Sequence, residues 1–416
     1  MSFTLAIYNI GTLVTAKGHK LPATAGAASE AGIMENAAIG INGDTIMHVA
    51  SSREVLDLCD ANTELIDAKG ALVTPGLVDP HTHVVYAGDR AHEYDLKLQG
   101  VPYLEILKQG GGILSTVKQT REAGKESLTM QSKRRLQTMF RYGTTTAEAK
   151  TGYGLNTASE LLQLEVIEEL MKETPLQLVA TFMAAHALPP EYKDDREGYI
   201  KLICEEMLPL VEGRAKYCDV FCEEGVFSVD ESRLVLQAGL QHGLRPKIHA
   251  DELAASGGSK LAAELGAISA DHLLMTPHDA MEAMAAAGVI GVLLPATSFN
   301  LAQGHYAKAR EMLQAGMALA LASDANPGSC PTENMQLVLS LACLYLRLTP
   351  TEAIVAATIN AAHAIGAADR VGSIEVGKQA DMVIFDAPSL AYLPYHFGTN
   401  LVNTVIKKGK PYVFLH

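Results

Sequence analysis

With 416 residues, 48% of them apolar and 19% charged, the chain can bury a large core and lacks the composition of a disordered protein. Its 47 acidic against 33 basic residues leave a formal charge of −14, which opposes nonspecific attraction to nucleic acid or anionic lipid, so neither is expected as a partner. No apolar run approaches the ~18 residues of a membrane span. The first 20 residues show no basic stretch followed by an apolar one, so no secretory leader is expected and the cytoplasm is the expected location.

In chain order, Thr4–Ile10 reads as a strand, followed by Ala37–Ile41 and Asp44–Ala50 joined through Asn42-Gly43. Both of those joining residues tolerate the positive φ of a type I′ hairpin turn, so a hairpin is expected there. From about residue 76 the pattern changes to short apolar strands alternating with longer helical stretches, which is the signature of parallel βαβ units. Eight strand candidates end near His83, Glu148, His186, Cys222, His249, His272, Pro295 and Asp324. Helical patterns between them include Leu161–Lys172, Glu231–His242, Gly258–Leu265 and Pro277–Ala287. Toward the end, Gly377–Asp386 and Thr404–Val413 are again strand-like, the second with Lys408-Gly409 at a turn. Neither end alone supplies enough strands for a stable sheet. The expectation is an α/β chain in which residues 76–370 form a (β/α)₈ TIM barrel, while residues 1–75 and 371–416 combine in a small β-sandwich domain.

The six cysteines (Cys59, Cys204, Cys218, Cys222, Cys330 and Cys343) are dispersed and form no CxxC pair, so reduced, buried thiols are expected. Gly110–Gly112 lacks the Lys-Ser/Thr ending of a phosphate-binding loop and reads instead as a mobile loop over the barrel mouth. Gly-x-Ser-x-Gly is absent and no Ser-His-Asp or Cys-His pattern stands out, which leaves water as the expected nucleophile.

The chemistry concentrates at strand ends. His81 and His83 are two residues apart at the end of an apolar strand and therefore face the same way. That spacing alone is weak evidence, because a strand terminus carries polar residues for many reasons. His186, His249, His272 and Asp324 each end a later apolar strand, and a barrel brings such ends to one rim. Taken singly, each reads as a hydrogen-bonded loop histidine or a helix-capping aspartate. Together they are the nitrogen and oxygen ligands of a catalytic zinc or iron that keeps a coordination position open.

The segments Pro75–His83 (PGLVDPHTH), His249–Glu252 (HADE) and Ser323–Ser329 (SDANPGS) resemble the amidohydrolase superfamily, and the likeness spans essentially the whole chain. It implies His81, His83, His249 and Asp324 as metal ligands. Some superfamily members bridge two metals with a carboxylated lysine on the fourth strand; Tyr217–Glu223 (YCDVFCE) offers no lysine, so one zinc or iron ion is expected. Glu252, three residues after His249, is then a proton-shuttle candidate, and His272 a group that orients or deprotonates the attacking water. Tyr86–Tyr94 (YAGDRAHEY), Lys150–Gly154 (KTGYG) and SDANPGS resemble members that open the ring of 4-imidazolone-5-propanoate more than those that deaminate nucleobases. That likeness implies Arg90 and Tyr153 on the substrate carboxylate, His186 at the ring, and Glu252, Asn326, Gly328 and Ser329 against substrate or product. It also implies a homodimer. Two other readings stay open: a deaminase of a nucleobase-like ring, and a noncatalytic metal-binding barrel.

Overall fold

The computed structural model describes residues 2–101, 105 and 110–414. The chain enters through strands β1 (Leu5–Val14), β2 (Ile33–Asn42), β3 (Thr45–Ser51), β4 (Glu64–Asp67) and β5 (Leu72–Pro75). Eight further strands then alternate with helices: β6 (Leu77–Asp79), β7 (Thr144–Lys150), β8 (Gln177–Ala185), β9 (Tyr217–Cys222), β10 (Arg245–Ala250), β11 (Ser269–His272), β12 (Ile290–Leu293) and β13 (Leu319–Leu321). The last three, β14 (Met382–Phe385), β15 (Val402–Lys407) and β16 (Lys410–Val413), return to the first sheet.

Strands β6 to β13 pair in sequence order, all parallel. The ring closes just past the last regular residues, where Thr82 bridges Ala325, Asp324 N–H donates to His81 carbonyl (3.1 Å) and His83 N–H donates to Ala325 carbonyl (3.0 Å). This is a TIM barrel, and its closure seam runs through the ligand candidates of the first and last strands. All eight strands foreseen in the sequence are present. Local signals set the helices between them. Ser228 and Glu231 form a capping box at the start of Val229–Gln241, while Gly266 and Gly288, both left-handed, end Gly258–Leu265 and His278–Ala287.

The other sheet runs β16-β15-β14-β5-β1-β2-β3, with β4 also paired to β1, so the two chain ends meet in it. Strands from both halves of that path feed one apolar cluster, including Leu5, Ile39, Val73, Met382 and Ile406, so the sheet curls over its own apolar face. On β14 the strand alternation divides the labour. Met382 and Ile384 enter this cluster, whereas Val383 and Phe385 join the barrel's core and fasten the two bodies together.

Three details differ from expectation. The first hairpin turns on Gly43-Asp44, with positive φ (60°) at Gly43 only; Asn42 still pairs with Thr45, so the turn follows the type II′ pattern and not I′. The I′ pattern occurs instead at Lys408-Gly409, where φ is 51° and 71°. Of Gly377–Asp386, only the last part forms regular strand. All six cysteines are free; Cys218, Cys222 and Cys330 are buried, whereas Cys59, Cys204 and Cys343 are only half-buried, their helix or loop surfaces being less covered than the barrel wall. Among the described residues no helix is long and apolar enough to cross a membrane.

Candidate active site

At the C-terminal rim of the barrel, ligand atoms of His81, His83 and His249 lie within 4.8 Å of one another, and all three side chains are buried. Asp324 reaches the same spot: its Oδ1 is 3.5 Å from His81 Nε2 and 3.7 Å from His83 Nε2. His249 Nε2 is 3.4 Å from His83 Nε2. The residues come from the ends of β6, β10 and β13, far apart in sequence and gathered only by barrel closure. Asp324 and His272 hold positive φ (57° and 76°), a conformation that non-glycine residues adopt at some cost and that recurs where surrounding structure dictates side-chain direction.

Hydrogen bonds fix which nitrogen two of the rings present, whereas His83 Nδ1 is buried without a partner. His81 Nδ1 lies 2.6 Å from Asp271 Oδ2, and His249 Nδ1 lies 3.1 Å from Asp219 Oδ1, so each ring donates through Nδ1 and turns Nε2 toward the cluster. His81 Nε2 is buried with no hydrogen-bond partner, which is costly unless something else accepts its lone pair. Burial holds the pKa of His81 and of His83 well below the ordinary range, assisted at His81 by Lys150 and at His83 by His186. At His249 burial outweighs Asp219 and lowers the value to about 3. Burial also raises Asp324 to about 6, opposed mainly by His272. Three neutral imidazoles, two of them holding Nε2 toward the cluster, beside a carboxylate are the donor set that a zinc or ferrous ion takes, so the residues fit such an ion.

Around this cluster stand the other candidates. His272 Nδ1 is 3.6 Å from Glu252 Oε1. Glu252 lies buried in the bend after β10, where its N–H and that of Leu253 donate to Glu223 Oε2 (2.8 and 2.9 Å). The His186 ring stacks on His83 with centroids 4.8 Å apart, and Gly152 carbonyl accepts from its Nδ1 (3.0 Å). Burial lowers His186 to about 4. Tyr153 packs against both rings, at 5.9 Å from His83 and 5.3 Å from His186. Its loop is pinned from the helix Thr157–Glu173: buried Glu160 accepts from Gly152, Gly154 and Leu155 N–H, and Gln163 from Tyr153 N–H. Arg90, tied through Nε to Glu93 (2.9 Å), lies against Gly328. Asn326 is turned to its own loop: its Oδ1 accepts from Gly328 and Ser329 N–H, and its Nδ2 donates to Asp324 carbonyl and Ser329 Oγ.

A layer of charge beneath the rim was not foreseen. Lys150 Nζ, fully buried, is 2.5 Å from Asp219 Oδ2, 2.9 Å from Glu148 Oε2 and 3.6 Å from Asp271 Oδ2. Lys247 Nζ donates to Glu148 Oε2 and to Pro80 carbonyl, both at 2.9 Å. Burial opposes the charge on Lys150, but Asp219, Glu148 and Asp271 outweigh it and raise its pKa. Burial likewise works against ionised Asp219, yet His249 and Lys150 together hold it well below the usual carboxylate range. The sequence did hold a signal for this layer. Lys247 and Asp219 stand two residues before His249 and Phe221 on their strands, so they face the same way one layer lower.

A closed barrel with three histidines and an aspartate converging on its C-terminal rim has the frame of a metal-dependent hydrolase. A family model described as "Amidohydrolase family" matches residues 72–412. The chain is 53% identical over 413 residues to an imidazolonepropionase of Alkaliphilus oremlandii, covering 99% of this chain and 98% of that one. It is 50% identical to an imidazolonepropionase of Fusobacterium nucleatum, with 99% of each covered. In fold it resembles E. coli guanine deaminase (TM-score 0.76, 15% identity, 99% of each chain) and a zinc-bound adenosine deaminase from Xanthomonas campestris (0.73, 20%, 99% of this chain and 93% of that one). The chain belongs to the amidohydrolase family and, within it, to the imidazolonepropionases.

Proposed function

We propose that the protein hydrolyses the ring C–N bond of 4-imidazolone-5-propanoate, giving N-formimidoyl-L-glutamate in histidine degradation. The observation that carries this reading is the meeting of His81, His83, His249 and Asp324 at one rim of a chain 53% identical to an imidazolonepropionase. These four would hold one zinc or iron ion. When bound, the ion supplies Lewis acidity that polarises the ring carbonyl and brings water's pKa toward neutrality.

The rest falls to side chains. Arg90 grips the propanoate carboxylate with a guanidinium fork, and Tyr153 donates to the same group. His186, its Nδ1 committed to Gly152, turns Nε2 to the ring. Water, oriented by His272, adds to the carbonyl carbon as its proton passes to Glu252, and His272 stabilises the negative charge developing on the carbonyl oxygen. Glu252, close to His272, delivers a proton to the departing ring nitrogen as the C–N bond breaks, so that one water is consumed per ring opened. Asn326, Gly328 and Ser329 meet substrate or product beside Arg90, and Asn326 also holds their loop. The same reading makes the protein a cytoplasmic homodimer with a small-molecule substrate and no nucleic-acid or membrane partner.

Turnover of 4-imidazolone-5-propanoate, followed by loss of ring absorbance, tests the proposal against its rivals. Hydrolysis that weakens on Arg90→Gln is the expected result. Ammonia released from cytosine, guanine or adenosine with the imidazolone untouched would establish a deaminase, and bound cation without turnover of any ring would establish a noncatalytic barrel.

A further inference from the structure

We infer that Lys150 is a positioning residue for the cation site, acting on two ligand histidines at once. It touches neither ring. Its ammonium lies 2.5 Å from Asp219 Oδ2 and 3.6 Å from Asp271 Oδ2, and these carboxylates in turn meet His249 Nδ1 (3.1 Å) and His81 Nδ1 (2.6 Å). One side chain on β7 thereby couples ligands presented at opposite stations of the ring, at the end of β10 and just after β6. Every group in the chain Lys150, Asp219, Asp271 and His81 is fully buried, so no solvent can take over the lysine's contacts. Glu148 (2.9 Å) steadies the ammonium from its own strand, and Lys247 steadies Glu148.

The physical reasoning concerns direction. A carboxylate that accepts from a ligand imidazole fixes the ring's rotation only if the carboxylate itself cannot rotate. Asp219 has its two oxygens divided between His249 and Lys150; Asp271 has one oxygen shared by His81 and Lys150, with Lys247 at the longer distance of 4.0 Å, and the other held by Ser269 Oγ (2.7 Å). Removing the ammonium frees one side of Asp219 outright and loosens Asp271, so both Nε2 atoms lose their aim together. The spacing of three histidine nitrogens within 4.8 Å depends on that aim.

The inference rests on reading His81, His83, His249 and Asp324 as cation ligands, and the experiment separates the two. Zinc affinity of the metal-free full-length chain is measured by chelator competition for wild type, Lys150→Met and Lys407→Met. Lys407 forms a comparably buried ion pair with Asp381 (2.6 Å) in the other sheet and controls for loss of a buried lysine as such. The expected result is a dissociation constant raised about 10- to 100-fold in K150M, the usual effect of losing an outer partner, and unchanged in K407M. The cobalt-substituted K150M chain should show an altered visible spectrum. In the double variant with Asp219→Asn, the loss should be smaller than the product of the single losses, because both act through His249. If K150M does not fold, Lys150→Gln, which keeps a donor and most of the volume, carries the same expectation. Wild type that binds no zinc overturns the ligand reading itself. Wild type that binds zinc while K150M binds it equally, or while K407M is equally impaired, overturns the role of Lys150 alone.

Discussion

Gly328→Ala tests the carboxylate pocket with one methyl group. A Cβ at this position would lie 2.1 Å from Arg90 Nη1 and 2.8 Å from its Cζ. Ordinary contact begins at 3.4 Å, so the guanidinium must withdraw by about 1.3 Å (3.4 − 2.1). What gives way is the far end of a flexible side chain, and Gly328 is not at positive φ, so the backbone accepts alanine and stability should change by no more than ~1 kcal/mol. Arg90 retreats from the pocket while Glu93 Oε2 holds its Nε and Nη2, so the Nη1 end of the fork can no longer reach a planar carboxylate. A hydrogen bond to a charged group contributes about 1.5–3 kcal/mol, and its loss translates to a fall of roughly 10- to 150-fold in kcat/KM. Most of it should appear in KM, because substrate and transition state carry the same propanoate arm. Steady-state kinetics on 4-imidazolone-5-propanoate, with thermal unfolding run in parallel, measure both quantities. KM within twofold of wild type in a protein of unchanged Tm refutes the assignment of Arg90 to the carboxylate.

Other consequences are more direct. Chelation should abolish hydrolysis, and added zinc or ferrous ion should restore it, whereas His249→Ala should resist such rescue; metal analysis of the purified proteins checks both. Glu252→Gln should lower kcat by about 10²–10⁴ while leaving zinc affinity within twofold, since its contact is to His272 and not to a ligand candidate. Lys407→Met should destabilise the fold by about 3 kcal/mol, at the low end for a broken buried pair because Gln379 and the Lys408 N–H still donate to Asp381. The KM of the folded K407M protein should match wild type, and denaturant unfolding with kinetics separates the two effects.

The barrel was legible because each strand announces itself locally, by a short apolar run that in most cases stops at a polar residue. His186 follows β8 directly, His272 ends β11, and His249 stands one residue before the end of β10. Period-two spacing likewise gave the common direction of His81 and His83. The closure seam was not legible: the bonds joining His81 to Asp324 and His83 to Ala325 link segments more than 240 residues apart, and no local pattern records them. The role of Asn326 was obscured for another reason. An asparagine near a site reads as a substrate contact, and its second task, closing a turn through Gly328 and Ser329, is decided by loop geometry that no local pattern shows. Glu160 escaped notice because its partners are backbone N–H groups of the Tyr153 loop, which carry no sequence signal.

The buried charges have a physical logic of their own. Barrel interiors are ordinarily layered with branched apolar side chains, and replacing a buried ion pair by such residues is often neutral or stabilising. Stability therefore does not account for Glu148, Lys150, Asp219, Lys247 and Asp271 standing together in one layer. The proposed cation at the rim would. Nearby positive charge favours ionised carboxylates below it, and ionised carboxylates keep each ring's N–H on Nδ1 and its lone pair on Nε2. Without counter-charges, however, those carboxylates would sit unpaired whenever the ion leaves, at a cost of several kcal/mol. On the proposed reading Lys150 and Lys247 supply that counter-charge with or without the ion, so the carboxylates can hold the histidine rings in place before an ion arrives. That arrangement explains how strands so distant in sequence can present a ligand set already in register.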